Sequence, residues 1–195
     1  PTFTSSLNRD ALIGPVVAPG SYTVDLTVDG TTYSQPLTIE PDPRVSGNQA
    51  DLEAQFDLLI KIRDKINETH AAVDRIHSIR GQVRQATSRI DDDAAITAGE
   101  QIIEKLAPIE EALAQPRSTD PRQFPNGLND KLAALPGMIS NADTRPPKQY
   151  YEVFEKLSDE VDEQLAALNA VIDSDIAKFN EMLAGKISAV ELSRA

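Results

Sequence analysis

Two histidines and an aspartate have the spacing in this sequence that comes nearest to a metal site. His70, Asp74 and His77 follow one another at intervals of four and three residues, which places them on one face of a helix. A zinc site would also need a ligand from another helix, and the di-iron signature of Glu-x-x-His on two helices does not occur. Two polar residues beside a packed helix face explain the pattern better. We therefore predict no metal ion and no cofactor.

Acidic residues form the next patterns that could do chemistry. The run Asp91–Asp93 lacks the spacing and central glycine of a calcium loop, so we interpret it as the start of a helix. Four glutamates are interpreted as ordinary solvent-facing acids: Glu110, Glu111, Glu160 and Glu163. A carboxylate pair for glycoside hydrolysis cannot be selected from 31 acidic residues without a cleft.

Other chemistry has little support in the sequence. Tyr150 and Tyr151 could stack on a sugar, but Tyr150 opens an apolar helix stripe and fits a core position better. The chain contains no cysteine, which excludes disulfides, thiolate zinc sites and cysteine nucleophiles. It also contains no phosphate-binding loop, dinucleotide fingerprint, zinc-protease motif or serine-nucleophile elbow. We assign no catalytic, cofactor-binding or metal-binding residue.

Helical periodicity dominates the rest of the chain. Apolar residues recur every three or four positions from Asn48 to Ile90, with one gap at Thr69 and His70. A helix after Asp93 contains Pro108, where we expect a kink or an early stop. A loop over residues 115–126 precedes a third helix from Leu128, which Pro136 and Gly137 break or kink. A long fourth helix then runs from Tyr150 to Leu183, with Gly185 as its C-cap. These elements predict an antiparallel four-helix bundle with two long helices over residues 46–195.

A β-hairpin is predicted before the bundle, within residues 1–45. Apolar and polar residues alternate from Ser21 to Val28, and Asp29-Gly30 is a preferred pair for a two-residue type I′ turn. The turn pairs Val28 with Thr31 and Tyr22 with Leu37 on one face. Pro36 marks an edge position because it lacks an N–H group. An isolated hairpin is only marginally stable in water. Either it packs on the helices, or it ends an immunoglobulin-like sandwich whose other strands lie upstream.

Composition limits the partners. The net charge is -12, so repulsion of phosphate groups disfavours nucleic acid and anionic membranes. No apolar run approaches the roughly 20 residues of a membrane span. The chain begins at Pro1 without a signal peptide, and we expect that it was cut from a longer polypeptide.

The order of motifs resembles the C-terminal region of large bacterial exported proteins. The residues concerned are Pro19-Gly20-x-Tyr22-x-Val24, then Val28-Asp29-Gly30, then Asp42-Pro43-Arg44, followed by the long helix. The resemblance covers residues 14–183. In those proteins, β-propeller repeats of the sortilin-like or BNR (sialidase-like) kind precede a short β segment and a helical tail. Many are labelled glycosyl hydrolases because of the propeller. Here the Asp-box, the sialidase arginines and tryptophan are all absent, so no catalytic residue is carried over.

The resemblance implies a non-catalytic, exported accessory module. Its expected partner is an upstream β-propeller domain of the same polypeptide or another protein, and its expected location is the periplasm or the extracellular space. Two alternatives stay open. One is an independent helical domain that interacts or oligomerises through an exposed stripe. The other is a hydrolase that acts on glycans through acids between the helices.

Overall fold

The computed structural model describes residues 14–44, 47–114 and 126–184. The predictions for the loop over 115–125, for the cap at Gly185 and for the residues before Gly14 lie outside these ranges. The described chain is mainly helical, with an N-terminal hairpin followed by four helices that pack as a bundle. The predicted fold class is therefore confirmed.

The hairpin consists of β1 (Gly20–Val28) and β2 (Thr31–Ile39), paired antiparallel. Val28 lies opposite Thr31 and Tyr22 opposite Leu37, in the predicted register. Asp29 and Gly30 have φ values of 49° and 81°, and positive φ at both central positions defines a type I′ turn. The alternating pattern and the turn thus agree on a single register, because a slip of one residue would exchange the two faces.

The first helix, α1 (Gln49–Thr87), has 39 residues. Asn48 caps its start, where the Asn48 side chain accepts a hydrogen bond of 3.0 Å from the Asp51 backbone N–H. Thr69 lies at the predicted gap in the apolar stripe and is fully buried. Its hydroxyl can be buried because it donates a hydrogen bond of 2.8 Å to the Lys65 carbonyl. The polar residue therefore continues the buried face rather than interrupting it.

Two shorter helices follow, α2 (Asp93–Ala114) and α3 (Leu128–Ile139). Asp92 caps α2 by accepting from the N–H groups of Ala94 and Ala95, at 3.0 and 3.1 Å. The predicted early stop at Pro108 is wrong, because α2 continues through it to Ala114. Pro108 is exposed, so the missing donor lies on the solvent side of the helix and not in the packed stripe. Pro136 likewise lies inside α3, one turn before its end.

The last helical rod is α4 (Lys148–Ala170), a π-helical segment (Val171–Ile176) and α5 (Ala177–Leu183). The spacing predicted an ordinary α-helix throughout, so the π-helical turn is a difference. Ser174 supplies a physical reason, since its hydroxyl donates to the Ala170 carbonyl at 2.8 Å and competes for that acceptor. The wider turn buries both Val171 and Ile172.

Contacts between helices show the relative directions of the helices. Gln55 near the start of α1 reaches Ile139 at the end of α3, and His70 reaches the start of α3. Glu110 of α2 meets α1 at His77. Helices α2 and α3 therefore lie end to end along α1 and antiparallel to it. Gly127 fits this junction because a Cβ there would lie 2.9 Å from the Leu113 carbonyl oxygen.

The fourth rod runs alongside in the direction of α1. Tyr151 bonds to the Ala54 carbonyl, and Lys65 bonds to Asp162, so sequence numbers rise together in the two long helices. The core lies between these rods and consists of one continuous set of buried apolar side chains, with Phe179, Ile62, Ile76 and Leu106 among the most buried.

Candidate functional site

One face of the hairpin is apolar and exposed to solvent. We call it the apolar hairpin face; its side chains, all exposed except the half-buried Tyr22, are Tyr22, Val24, Leu26, Val28, Tyr33 and Leu37. Leu26 and Tyr33 lie directly opposite each other and are 61% and 60% exposed. Contiguous exposed apolar side chains of this kind are typical of surfaces that bind another protein.

The opposite face of the hairpin is polar, and its side chains form hydrogen bonds with one another. Ser34 donates a hydrogen bond of 2.6 Å to Asp25, and the hydroxyls of Thr27 and Thr32 lie 3.0 Å apart. These pairs stand across the strands, where they stabilise the hairpin. The two faces therefore differ in the way expected of a sheet with one side covered and one side in water.

The strands pair with each other and with no other element among the described residues. Of the two positions predicted for the hairpin, packing on the helices therefore does not occur within the described chain. Contact with the bundle is limited to the base of the hairpin, where Gln49 donates to the Pro19 carbonyl at 2.7 Å. A cavity of about 250 Å³ lies at this junction, lined by Val17, Pro19, Ile39, Leu52, Gln55 and Leu59.

Gln55 stabilises the same end of the bundle. Its side-chain amide nitrogen lies 3.0 Å from the carbonyl of Ile139, the last residue of α3, and 2.7 Å from the carbonyl of Ala142 in the loop that follows. Arg145 adds an ion pair of 2.9 Å with Asp51. The base of the hairpin thus stands on a part of the bundle whose loops are held by hydrogen bonds.

A buried ionic cluster joins α1 to α2. The Glu110 carboxylate is 3% exposed and accepts from His77 at 2.5 Å and from Arg80 at 2.6 Å. The interpretation of Glu110 as a solvent-facing acid is therefore wrong. A sequence signal existed, because Glu110 lies between Ile109 and Leu113 at the border of the apolar stripe. His77 and Arg80 supply the opposing donors, so the carboxylate need not face water.

The cluster determines the protonation of Glu110. Burial raises the pKa of its carboxyl, but the hydrogen bonds and charges of His77 and Arg80 outweigh burial and bring the pKa below its ordinary value. Both oxygens of a buried, ionised carboxylate are occupied here by α1 side chains. Glu110 is consequently placed to hold two helices together and not to exchange a proton with a substrate.

The three residues whose spacing comes nearest to a metal site have separate surroundings. His70 Nε2 lies 2.8 Å from Asn129 Oδ1, His77 binds Glu110, and Asp74 is exposed. Within residues 14–44, 47–114 and 126–184, no group of three or more His, Asp or Glu side chains is arranged to hold a metal ion. The structure thus places both histidines beside the seam between helices.

The remaining acids and tyrosines have ordinary positions. Glu111, Glu160 and Glu163 line an open groove between α2, α3 and α4, together with Lys131. Tyr150 packs against the core, as predicted, and Tyr151 also reaches the core from the first turns of α4. Ion pairs tie the rods at their surface, and the one between Lys105 and Asp175, at 2.6 Å, lowers the pKa of the Asp175 carboxyl.

Comparison of the chain with protein-family models, curated proteins and solved structures finds no match. The resemblance to exported propeller proteins therefore stays a prediction from the sequence. In the part of the chain that the structure describes, none of the helices combines the length and apolarity needed to cross a bilayer.

Proposed function

We propose that this chain is a non-catalytic accessory module that docks on a β-rich domain through the apolar hairpin face. The observation that carries the proposal is the exposure of this face, with Leu26 and Tyr33 at its centre. By the resemblance, the β-rich domain is an exported β-propeller, either of the same polypeptide or of another protein. The location that goes with it is the periplasm or the extracellular space.

The helical bundle supports this proposal because its helices cover one another's apolar stripes. A helix of 39 residues is about 58 Å long at about 1.5 Å per residue, and the other rods cover its apolar stripe. The large apolar side chains that are exposed on the described helices are few, one each on α3, α4 and α5: Met138, Val153 and Met182. A helix stripe for self-association is thus less well supported than the hairpin as the docking surface.

Catalysis has weaker support than docking. The best-held carboxylate, Glu110, is buried and ion-paired, while Glu160 and Glu163 lie on one helix of an open groove. Retaining and inverting glycosidases place two carboxyl groups on opposite sides of a bound sugar, at about 5 to 10 Å. Glu111 lines the groove from another helix, but the groove is open and Lys131 also lines it, so no pair of carboxyl groups encloses a sugar in this way.

Photo-crosslinking in the source cells tests the proposal. A benzoylphenylalanine at position 26 replaces Leu26 in the apolar hairpin face, and the control replaces Thr27 on the polar face. We expect the Leu26 variant to form an adduct whose cross-linked peptide belongs to a β-strand of a β-rich domain, with little adduct from the Thr27 variant. Equal adducts from both positions, or none from Leu26, would count against docking through this face.

A further inference from the structure

The two outer edges of the hairpin differ in their capacity to accept another strand. In a two-residue hairpin, the residues that flank the turn exchange hydrogen bonds, and every second pair then points its backbone groups outward. Val28 and Thr31 flank the turn here. The outward-facing residues are therefore Ser21, Thr23, Asp25 and Thr27 on β1, and Thr32, Ser34, Pro36 and Thr38 on β2.

The edge of β2 is interrupted. Pro36 lies opposite Thr23, at an outward-facing position, and it has no N–H group to donate. A strand that paired with β2 would lose a hydrogen bond in the middle of the ladder. Proline at such a position is a common device by which a natural sheet ends.

The edge of β1 carries no such device. Its outward positions each have a backbone N–H, and Gly20–Val28 contains neither proline nor a basic residue. The one charged side chain, Asp25, accepts a hydrogen bond from Ser34 across the polar face. The outer edge of β1 is therefore a complete row of donors and acceptors over the full strand.

The size of the apolar hairpin face argues against a second copy of this chain as its occupant. Two strands of 9 residues present roughly 300 Å², at about 3.3 Å per residue along the strand and 4.8 Å between strands. A stable protein–protein contact buries about 800 Å² on each partner. Two hairpins face to face fall well short of this, so further contacts must accompany the face.

We infer that a β-strand of the partner domain pairs with the outer edge of β1, so that the hairpin extends the partner's sheet and β2 becomes its terminal strand. This inference rests on the proposed function and specifies how the docking occurs. Strand addition supplies backbone hydrogen bonds, while the apolar hairpin face continues the apolar side of the enlarged sheet. Pro36 then lies at the outer edge of the complete sheet, where proline is tolerated.

Residue-resolved hydrogen exchange tests the edge directly. The native protein, immunopurified from the source cells with whatever is attached to it, is compared with the isolated chain. We expect the amides of Ser21, Thr23, Asp25 and Thr27 to exchange at least about tenfold more slowly in the native material. The amides of Thr32, Ser34 and Thr38 should not change. Equal rates for the β1 amides in both samples, or protection of the β2 amides instead, would overturn the inference.

A matched pair of substitutions separates the edge from the face. Asp25→Pro and Ser34→Pro each delete the Ser34–Asp25 hydrogen bond, but only Asp25→Pro removes a donor from the β1 edge. In the photo-crosslinking assay at position 26, we expect Asp25→Pro to reduce the adduct at least about tenfold and Ser34→Pro to leave it within about twofold. The same reduction in adduct yield from both variants would overturn the edge pairing. It would not contradict docking through the apolar hairpin face.

Residues 1–13 of the chain itself are the competing occupant. If they covered the β1 edge, its amides would already be protected in the isolated chain, and deletion of residues 1–13 would remove the protection. That result would also overturn pairing with a partner strand. Unchanged exchange after the deletion, together with protection in the native material, would support it.

Discussion

Glu110→Gln tests whether the buried ionic cluster stabilises the bundle. The substitution keeps the shape of the side chain but removes the charge that binds His77 at 2.5 Å and Arg80 at 2.6 Å. A hydrogen bond to a charged group contributes about 1.5–3 kcal/mol. The His77 side chain is 41% exposed, so its share belongs at the lower end. We expect a loss of about 3 kcal/mol in the free energy of unfolding, since Arg80 keeps its buried charge without a partner carboxylate.

Urea unfolding at pH 7 measures this loss, and a thermal melt should show a fall in Tm of roughly 6–12 °C for a protein of this size. The control is Glu104→Gln, which changes an exposed glutamate of the same helix and should alter stability by less than about 0.5 kcal/mol. A loss from Glu110→Gln that matched the control would refute the role of the cluster.

The same pair of proteins should respond differently to acid. The pKa of Glu110 is lowered in the folded state, so its contribution to stability is complete above the carboxyl pKa of the unfolded chain, about 4.3. The contribution is lost as the pH falls through the lower pKa of the folded state. Glutamine does not titrate. The difference between the two proteins should thus shrink as the pH falls below about 4; a difference that persisted in acid would mean that charge is not its source.

Three further substitutions test the packing, the cap and the independence of the hairpin. Gly99→Val should destabilise the protein by about 2 kcal/mol in urea unfolding, because even a Cβ at this position would lie 2.6 Å from Thr87 Cγ2. Asp92→Ala should cost about 1 kcal/mol in the same assay through loss of the α2 cap, whereas Asp91→Ala should cost much less. Gly30→Val should disrupt the turn, whose φ of 81° is strained for valine, and remove amide protection in the strands. The Tm of the bundle should stay unchanged there, because the strands pack on no other described element; a joint loss of both would contradict that separation.

Local patterns in the sequence were sufficient to predict the strands and helices. The strand register followed from period-two alternation and from a turn pair that accepts positive φ, and both constraints act within a few residues. The caps at Asn48 and Asp92 could be predicted for the same reason, since a cap joins a side chain to the backbone two or three residues away. Helical periodicity likewise located the helices. It missed the π-helical turn at Ser174 because that turn depends on a hydrogen bond from the Ser174 hydroxyl to a backbone carbonyl, which periodicity does not reveal.

The sequence predicted the side chains of the candidate surface but not their exposure. Alternation identified the apolar side chains of the hairpin, but their exposure depends on whether any other part of the chain covers them, and the pattern is the same in either case. The asymmetry of the two edges needed the register as well, because Pro36 blocks an edge only if it lies at an outward-facing pair.

Patterns among neighbouring residues therefore predict the helices, the hairpin, its register and the core stripes, since these depend on residues close together in the chain. The packing of the chain was needed to show that α2 and α3 lie end to end along α1, that Glu110 is buried, and that no other described element covers the apolar hairpin face. Each of these depends on which groups meet across tens of residues, as when His77 and Glu110 are brought from two helices to 2.5 Å. Burial and charge pairing depend on contacts between helices, and the pattern of residues within one helix does not reveal those contacts.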